Sequence, residues 1–148
     1  MTIPDTAAVP AQSRDAVVLV EDDQDTREMY VSWLEHVGFA VFDAADAETG
    51  FLRVLEHQPR VVITDHILRS GPTGAELCHR LKGDQRTAHI PTLLMTGLTD
   101  RRTAAEAVEL GCAIVRIKPY LPDAMIGDIQ AVIRGDHVDP IPPEYAQF

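Results

Sequence analysis

Five short runs of branched and apolar residues punctuate this chain, and a helical pattern follows each one. The runs are AVVLV (16–20), FAVFDA (39–44), VVIT (61–64), IPTLLMT (90–96) and CAIVRI (112–117). Most show no polar alternation, so they read as strands covered on both faces. Strict alternation of strand and helix predicts an α/β domain. Its core is a doubly wound, five-stranded parallel sheet with five helices and right-handed crossovers.

The helices are marked by spacing and punctuation. Met29, Trp33, Leu34 and Val37 recur at helical intervals, and Gly38 ends that segment. Asp46 is the expected N-cap of the second helix, with Phe51, Leu52 and Leu55 on its apolar face and Pro59 as its stop. Leu77 and Leu81 define the third. The fourth, TDRRTAAEAVELG, rests on alanine propensity, with Thr99 or Asp100 as cap and Gly111 as stop. Leu121, Met125, Ile129, Val132 and Ile133 stripe the fifth.

The chain has 148 residues, enough for one domain of this kind. The expected organisation is an N-terminal arm over 1–14, the folded domain over 15–135, and a proline-rich tail over 136–148 packed on the surface through Tyr145 and Phe148. No apolar run is long enough to span a bilayer, and the first residues lack the pattern of a secretory or transit peptide. Membrane insertion is therefore not expected, and a cytoplasmic location is. A net charge of −10 disfavours direct nucleic-acid binding and favours basic partner surfaces or a bound cation. Cys78 and Cys112 are expected as buried, reduced thiols.

In sheets of this kind, chemistry collects beyond the carboxyl ends of the strands. Those ends carry Glu21, Asp22 and Asp23 after the first run, Asp65 after the third, Thr96 at the end of the fourth and Lys118 after the fifth. Crowded carboxylates raise one another's pKa, and a hard divalent cation such as Mg²⁺ relieves the repulsion. An ionised aspartate beside such a cation is a competent nucleophile toward phosphorus. Lys118 and Thr96 are placed to take charge from phosphoryl oxygens. Their chemistry is that of phosphoryl transfer by positioning and electrostatics.

The segments VVLVEDDQDTRE, VVITDHIL, LLMTG and IKPY, spread over about residues 16–134, resemble the receiver domain of bacterial two-component response regulators. The resemblance implies a flavodoxin-like sheet of order 2-1-3-4-5. It implies that Asp65 accepts a phosphoryl group from a sensor histidine kinase or a histidine phosphotransfer protein. The implied Mg²⁺ ligands are Glu21, acting largely through water, Asp22, Asp65 and the Ile67 carbonyl, with Arg27 fixing which acids form the pair. Asp23 becomes a rim residue, and the Lys118–Pro119 bond is expected to be cis. Slow self-hydrolysis and a switchable surface on the fourth helix, fifth strand and fifth helix are also implied. The expected output is a downstream protein target, a homodimer or onward phosphotransfer, from a stand-alone switch with no attached output domain.

Three departures stand out. Arg69 occupies the place of the family's proline four residues past the acceptor, and the loop to Gly74 runs one residue long. Val115 replaces the aromatic ring usual three residues before the lysine. Arg116 puts a charge into the fifth strand, expected on a partner-facing surface. His66 is expected as a loop side chain near the mouth of the site.

Three other functions compete. An aspartate-nucleophile phosphatase would need an acid where Ile67 stands. A flavin binder would need a neutral phosphate loop where the first acids stand. A non-phosphorylated interaction module on the same fold is the remaining alternative.

Overall fold

The computed structural model describes residues 14–97 and 100–145. Its elements alternate as β1 (Ala16–Val20), α1 (Gln24–Val37), β2 (Ala40–Ala44), α2 (Ala47–His57), β3 (Val61–Asp65), α3 (Gly74–Lys82), β4 (Thr92–Thr96), α4 (Arg101–Glu109), β5 (Ile114–Ile117) and α5 (Pro122–Arg134). A short 3₁₀ turn, Pro143–Tyr145, follows. The five strands form one sheet in the order β2-β1-β3-β4-β5, all pairs parallel. The order reverses between β1 and β3, and sheets of this kind bind their ligands beyond the carboxyl ends of the strands at such a switch point.

Continuous apolar strands bury both faces, and two layers of core result. One joins Val17, Leu19, Ile63, Leu93 and Met95 to Tyr30 and Leu34 of α1 and Met125 and Ile129 of α5. The opposite face packs Val18, Val20 and Val62 under Phe51 and Val54 of α2 and Leu77 and Leu81 of α3. Two expected stripes shift by a residue. In α1 the inward pair is Tyr30 and Leu34, with Trp33 packed at its flank, while Met29 and Val37 are largely exposed. In α2 the expected Phe51 is buried and Leu55 packs against the core, while Val54 takes the interior place expected of Leu52, which faces solvent. Leu121 is likewise exposed, serving as the N-cap residue of α5 without a side-chain hydrogen bond.

Local chemistry sets the boundaries. Asp23, Asp46, Thr73 and Asp100 each accept a backbone N–H of the first turn they precede. Thr99, the other candidate cap of α4, lies outside the described residues. Gly38 closes α1 at φ 112, a left-handed conformation that suits glycine. After α3, Arg86 grips Asp84 through both carboxylate oxygens, and these bonds with the Arg86 N–H lower the Asp84 pKa to about 2. The unfolded value is about 4, so this contribution is present above that pH and is lost as pH falls toward the folded value. Asp84→Asn should lower stability at neutral pH, and the deficit should shrink between about pH 4 and pH 2 in urea unfolding.

The described part of the C-terminal segment packs against the domain. Pro140 accepts the Val115 N–H at 2.8 Å, so the tail runs along the free edge of β5. Arg116 lies beneath it, buried, and its guanidinium donates to Asp128 Oδ2 and to the carbonyls of Val115, Asp139 and Ile141. The expectation of a partner-facing Arg116 is therefore corrected: four acceptors satisfy its charge inside the fold. Val138 and Ile141 pack on the core. Tyr145 joins through its carbonyl, which accepts from Arg101 at 2.7 Å. Phe148 and residues 1–13 lie outside the described residues.

Cys78 and Cys112 are both buried free thiols. A hydrogen bond with Cys78, then burial, push the Cys112 thiol up, which keeps it protonated and unreactive.

Candidate functional site

Glu21, the residue after β1, is 1% exposed, and Asp65, the last residue of β3, is 8% exposed. Asp22 stands between them at the rim. One oxygen from each of the three lies within 4.8 Å of the others. Arg27 of α1 fixes this corner, donating to the Glu21 carbonyl at 2.9 Å and pairing with Asp43 of β2 at 3.1 Å. The Asp23 N–H returns to Glu21 Oε2, which turns that carboxylate inward. Asp23 itself caps α1 through Thr26.

Lys118 reaches in from the end of β5. Its Nζ lies 3.4 Å from both Glu21 Oε1 and Asp65 Oδ2. The Lys118–Pro119 peptide is cis, as expected. The Lys118 N–H donates to the Thr96 carbonyl, which ties the lysine to the last residue of β4. Thr96 is buried at that strand end.

The electrostatics are unbalanced. Burial raises the Asp65 pKa most, opposed by Lys118, and Asp22 raises it further. Burial likewise raises that of Glu21, with Asp65 adding repulsion. Lys118 rises too, because Asp65 and Glu21 together outweigh its desolvation. Three acids, with the Lys118 ammonium between two of them and a largely exposed Arg69 guanidinium at the rim beside Asp22, make an oxygen donor set that suits a hard divalent cation such as Mg²⁺.

Gly74 shows how closely α3 approaches this edge. A Cβ there would lie 2.1 Å from the Asp65 carbonyl oxygen and 2.8 Å from Leu94 Cδ1. Its N–H donates to the His66 carbonyl at 2.8 Å. Gly74→Ala must push α3 off β3, and should cost about 2 kcal/mol in chemical denaturation.

The structure brings Glu21, Asp22, Asp65, Lys118 and Thr96 to one sheet edge. The Ile67 side chain stands exposed beside them, 66% open to solvent. His66, directly after Asp65, is half-buried. It lines a cavity of about 190 Å³ with Thr96, Leu94, Ala104, Ala107 and Val115, and its Nδ1 is buried with no hydrogen-bond partner among the described residues. Val115, small where the family carries a ring, leaves part of that space.

The side chain whose role the sequence left unread is Arg69. Its N–H donates to Asp22 Oδ2 at 2.7 Å, its Nε lies 3.6 Å from the same oxygen, and its Nη2 lies 3.5 Å from Asp23 Oδ1. A missing proline was the only signal at that position.

Fold and edge together define a flavodoxin-like α/β domain with an acidic pocket at its topological switch point. The chain belongs to the response regulator receiver domain family, whose model matches residues 17–130. It is thus a two-component signal-transduction domain with the acid pocket typical of a phosphoacceptor and Mg²⁺ site. It is similar to the phosphate regulon transcriptional regulatory protein PhoB of Pseudomonas aeruginosa, with 28% identity over 84% of this chain and 56% of that protein. It is also similar to the transcriptional regulator RpaA of Synechocystis, with 28% identity over 80% of this chain and 48% of that one. The chain spans about half the length of these curated relatives. Among solved structures, a LuxR-family response regulator from Aurantimonas superposes with TM-score 0.79 at 28% identity, covering 91% of this chain and 94% of that one. Chemotaxis protein CheY4 of Vibrio cholerae, 23% identical, shares the fold with TM-score 0.76 over 81% of this chain and 99% of that one. Among the described residues, no helix is long and apolar enough to cross a membrane.

Proposed function

We propose that this chain is a phosphorylation switch whose acceptor is Asp65. The observation that carries the reading is Lys118 Nζ standing 3.4 Å from both Asp65 and Glu21, beside Asp22. An Asp65 oxygen attacks the phosphorus of a phosphohistidine on a kinase or phosphotransfer protein. The new O–P bond forms as the P–N bond breaks, and the imidazole nitrogen keeps the electron pair. Lys118 and Thr96 stabilise the charge on the phosphoryl oxygens. Glu21, Asp22, Asp65 and the Ile67 carbonyl would hold Mg²⁺, which when bound supplies charge neutralisation at the transferring group. Raised pKa values at Glu21 and Asp65 support this assignment, since a cation stabilises the ionised forms.

The setting is cytoplasmic. The switch biases a protein-binding surface for a downstream target or a second copy, with slow self-hydrolysis resetting it. A non-phosphorylated interaction module is the second reading, favoured by Arg69 sitting on Asp22. Incubation with acetyl phosphate and Mg²⁺, followed by intact mass, separates them. A labile phosphoryl adduct supports the switch, and its absence supports the module.

A further inference from the structure

We infer that Arg69 is a built-in counter-ion that sets how tightly the acid pocket holds a divalent cation. The inference rests on the metal-site reading above. The pocket's two cations divide its acids between them. Lys118 serves Glu21 and Asp65, while Arg69 serves Asp22 and Asp23. No other basic side chain contacts these acids among the described residues, apart from Arg27, which holds the Glu21 backbone rather than its carboxylate.

The placement is built rather than incidental. The loop from His66 to Gly74 is pinched at both ends, by the His66 N–H on the Met95 carbonyl at 2.7 Å and the Gly74 N–H on the His66 carbonyl at 2.8 Å. Leu68 anchors it in the core beneath α2 and α3. Thr73 and Glu76 close it with a capping box. Arg69 follows the Leu68 anchor, so its N–H is directed at Asp22 and its side chain lies along the rim. The backbone bond needs no particular side chain; the guanidinium adds a permanent charge to it.

An incoming Mg²⁺ must share Asp22 with that charge. Two effects follow, both unfavourable to the metal. The guanidinium neutralises part of the ligand's attraction, and it repels the dication across a few ångströms. Because the Arg69 side chain is 73% exposed, solvent and salt screen the effect, so it tunes affinity rather than abolishing it. A proline at this position would bring neither the charge nor the N–H.

The test is Mg²⁺ binding to the full chain by titration calorimetry, with Mn²⁺ followed by electron paramagnetic resonance. Arg69→Gln should bind Mg²⁺ about fivefold more tightly at low salt, and the gain should shrink as ionic strength rises. Arg69→Lys should return most of the way to the parent affinity. A loop-shaping role would produce neither the salt dependence nor the rescue by lysine. Equal or weaker binding by Arg69→Gln, with saturable binding in the parent, overturns the role of Arg69 and leaves the metal site standing. Absence of saturable binding in both parent and Arg69→Gln overturns the metal-site reading and this inference with it.

Discussion

Asp65→Asn is expected to take no phosphoryl group from acetyl phosphate or a phosphohistidine donor, and to form no beryllofluoride adduct. The unmodified chain is expected to do both in the presence of Mg²⁺. Asparagine's amide is not a nucleophile toward phosphorus under these conditions, so the loss should be complete rather than partial. Unfolding should not confuse the result. Burial already pushes the Asp65 pKa up, meaning that the fold favours an uncharged group there, and the amide is close to the same shape. Intact mass reports the adduct, and circular dichroism reports the fold. Equal labelling of Asp65→Asn and parent would place the acceptor elsewhere.

Arg116→Met should have the largest effect on stability. It removes one partner of an ion pair in which Arg116 is buried and Asp128 half-buried, and leaves the Asp128 carboxylate with the Tyr120 hydroxyl as its remaining side-chain partner among the described residues. It also strands the carbonyls of Val115, Asp139 and Ile141 that the guanidinium serves. Breaking such a pair by deleting one side costs about 3 kcal/mol. The tail should loosen with it. Amide exchange of Val115 and Ile141, which depends on the tail's position, should accelerate beyond the change in global stability. Unchanged stability and unchanged exchange would show that Arg116 is not the tail's anchor.

The architecture was legible because it depends on period and order. Branched, continuous strands can be covered only by two layers of helices, and the acids at the strand ends then fall on one edge whatever the details. Individual contacts were less legible, for reasons that differ by residue. Tyr30 outcompetes Met29 for the interior because the two are neighbours on one helix and the face toward β1 lies one position over. Arg116 reads as a surface charge until its four acceptors are known, and three of them are backbone carbonyls, which leave no mark in sequence. Arg69 registers only as a missing proline. Its bond to Asp22 uses its own N–H across 47 positions of chain, and spacing carries no trace of such a contact. Cys78 and Cys112 were legible as buried but not as neighbours. His66 was legible as a residue of the loop after Asp65, but not as part of the wall of a cavity shared with Thr96.

The tail along β5 has a consequence for anything that would dock there. Pro140 and its neighbours occupy the hydrogen-bonding edge of the sheet and the ground between β5, α5 and the first turn of α4. A segment joined to its own binding site by a few residues acts at an effective concentration on the order of millimolar. A partner seeking that edge therefore competes with a tethered ligand that is never diluted. Its apparent affinity is reduced by whatever fraction of the time the tail is seated. Sequence changes in 136–145 can thus alter the strength of an interaction without touching any residue the partner contacts.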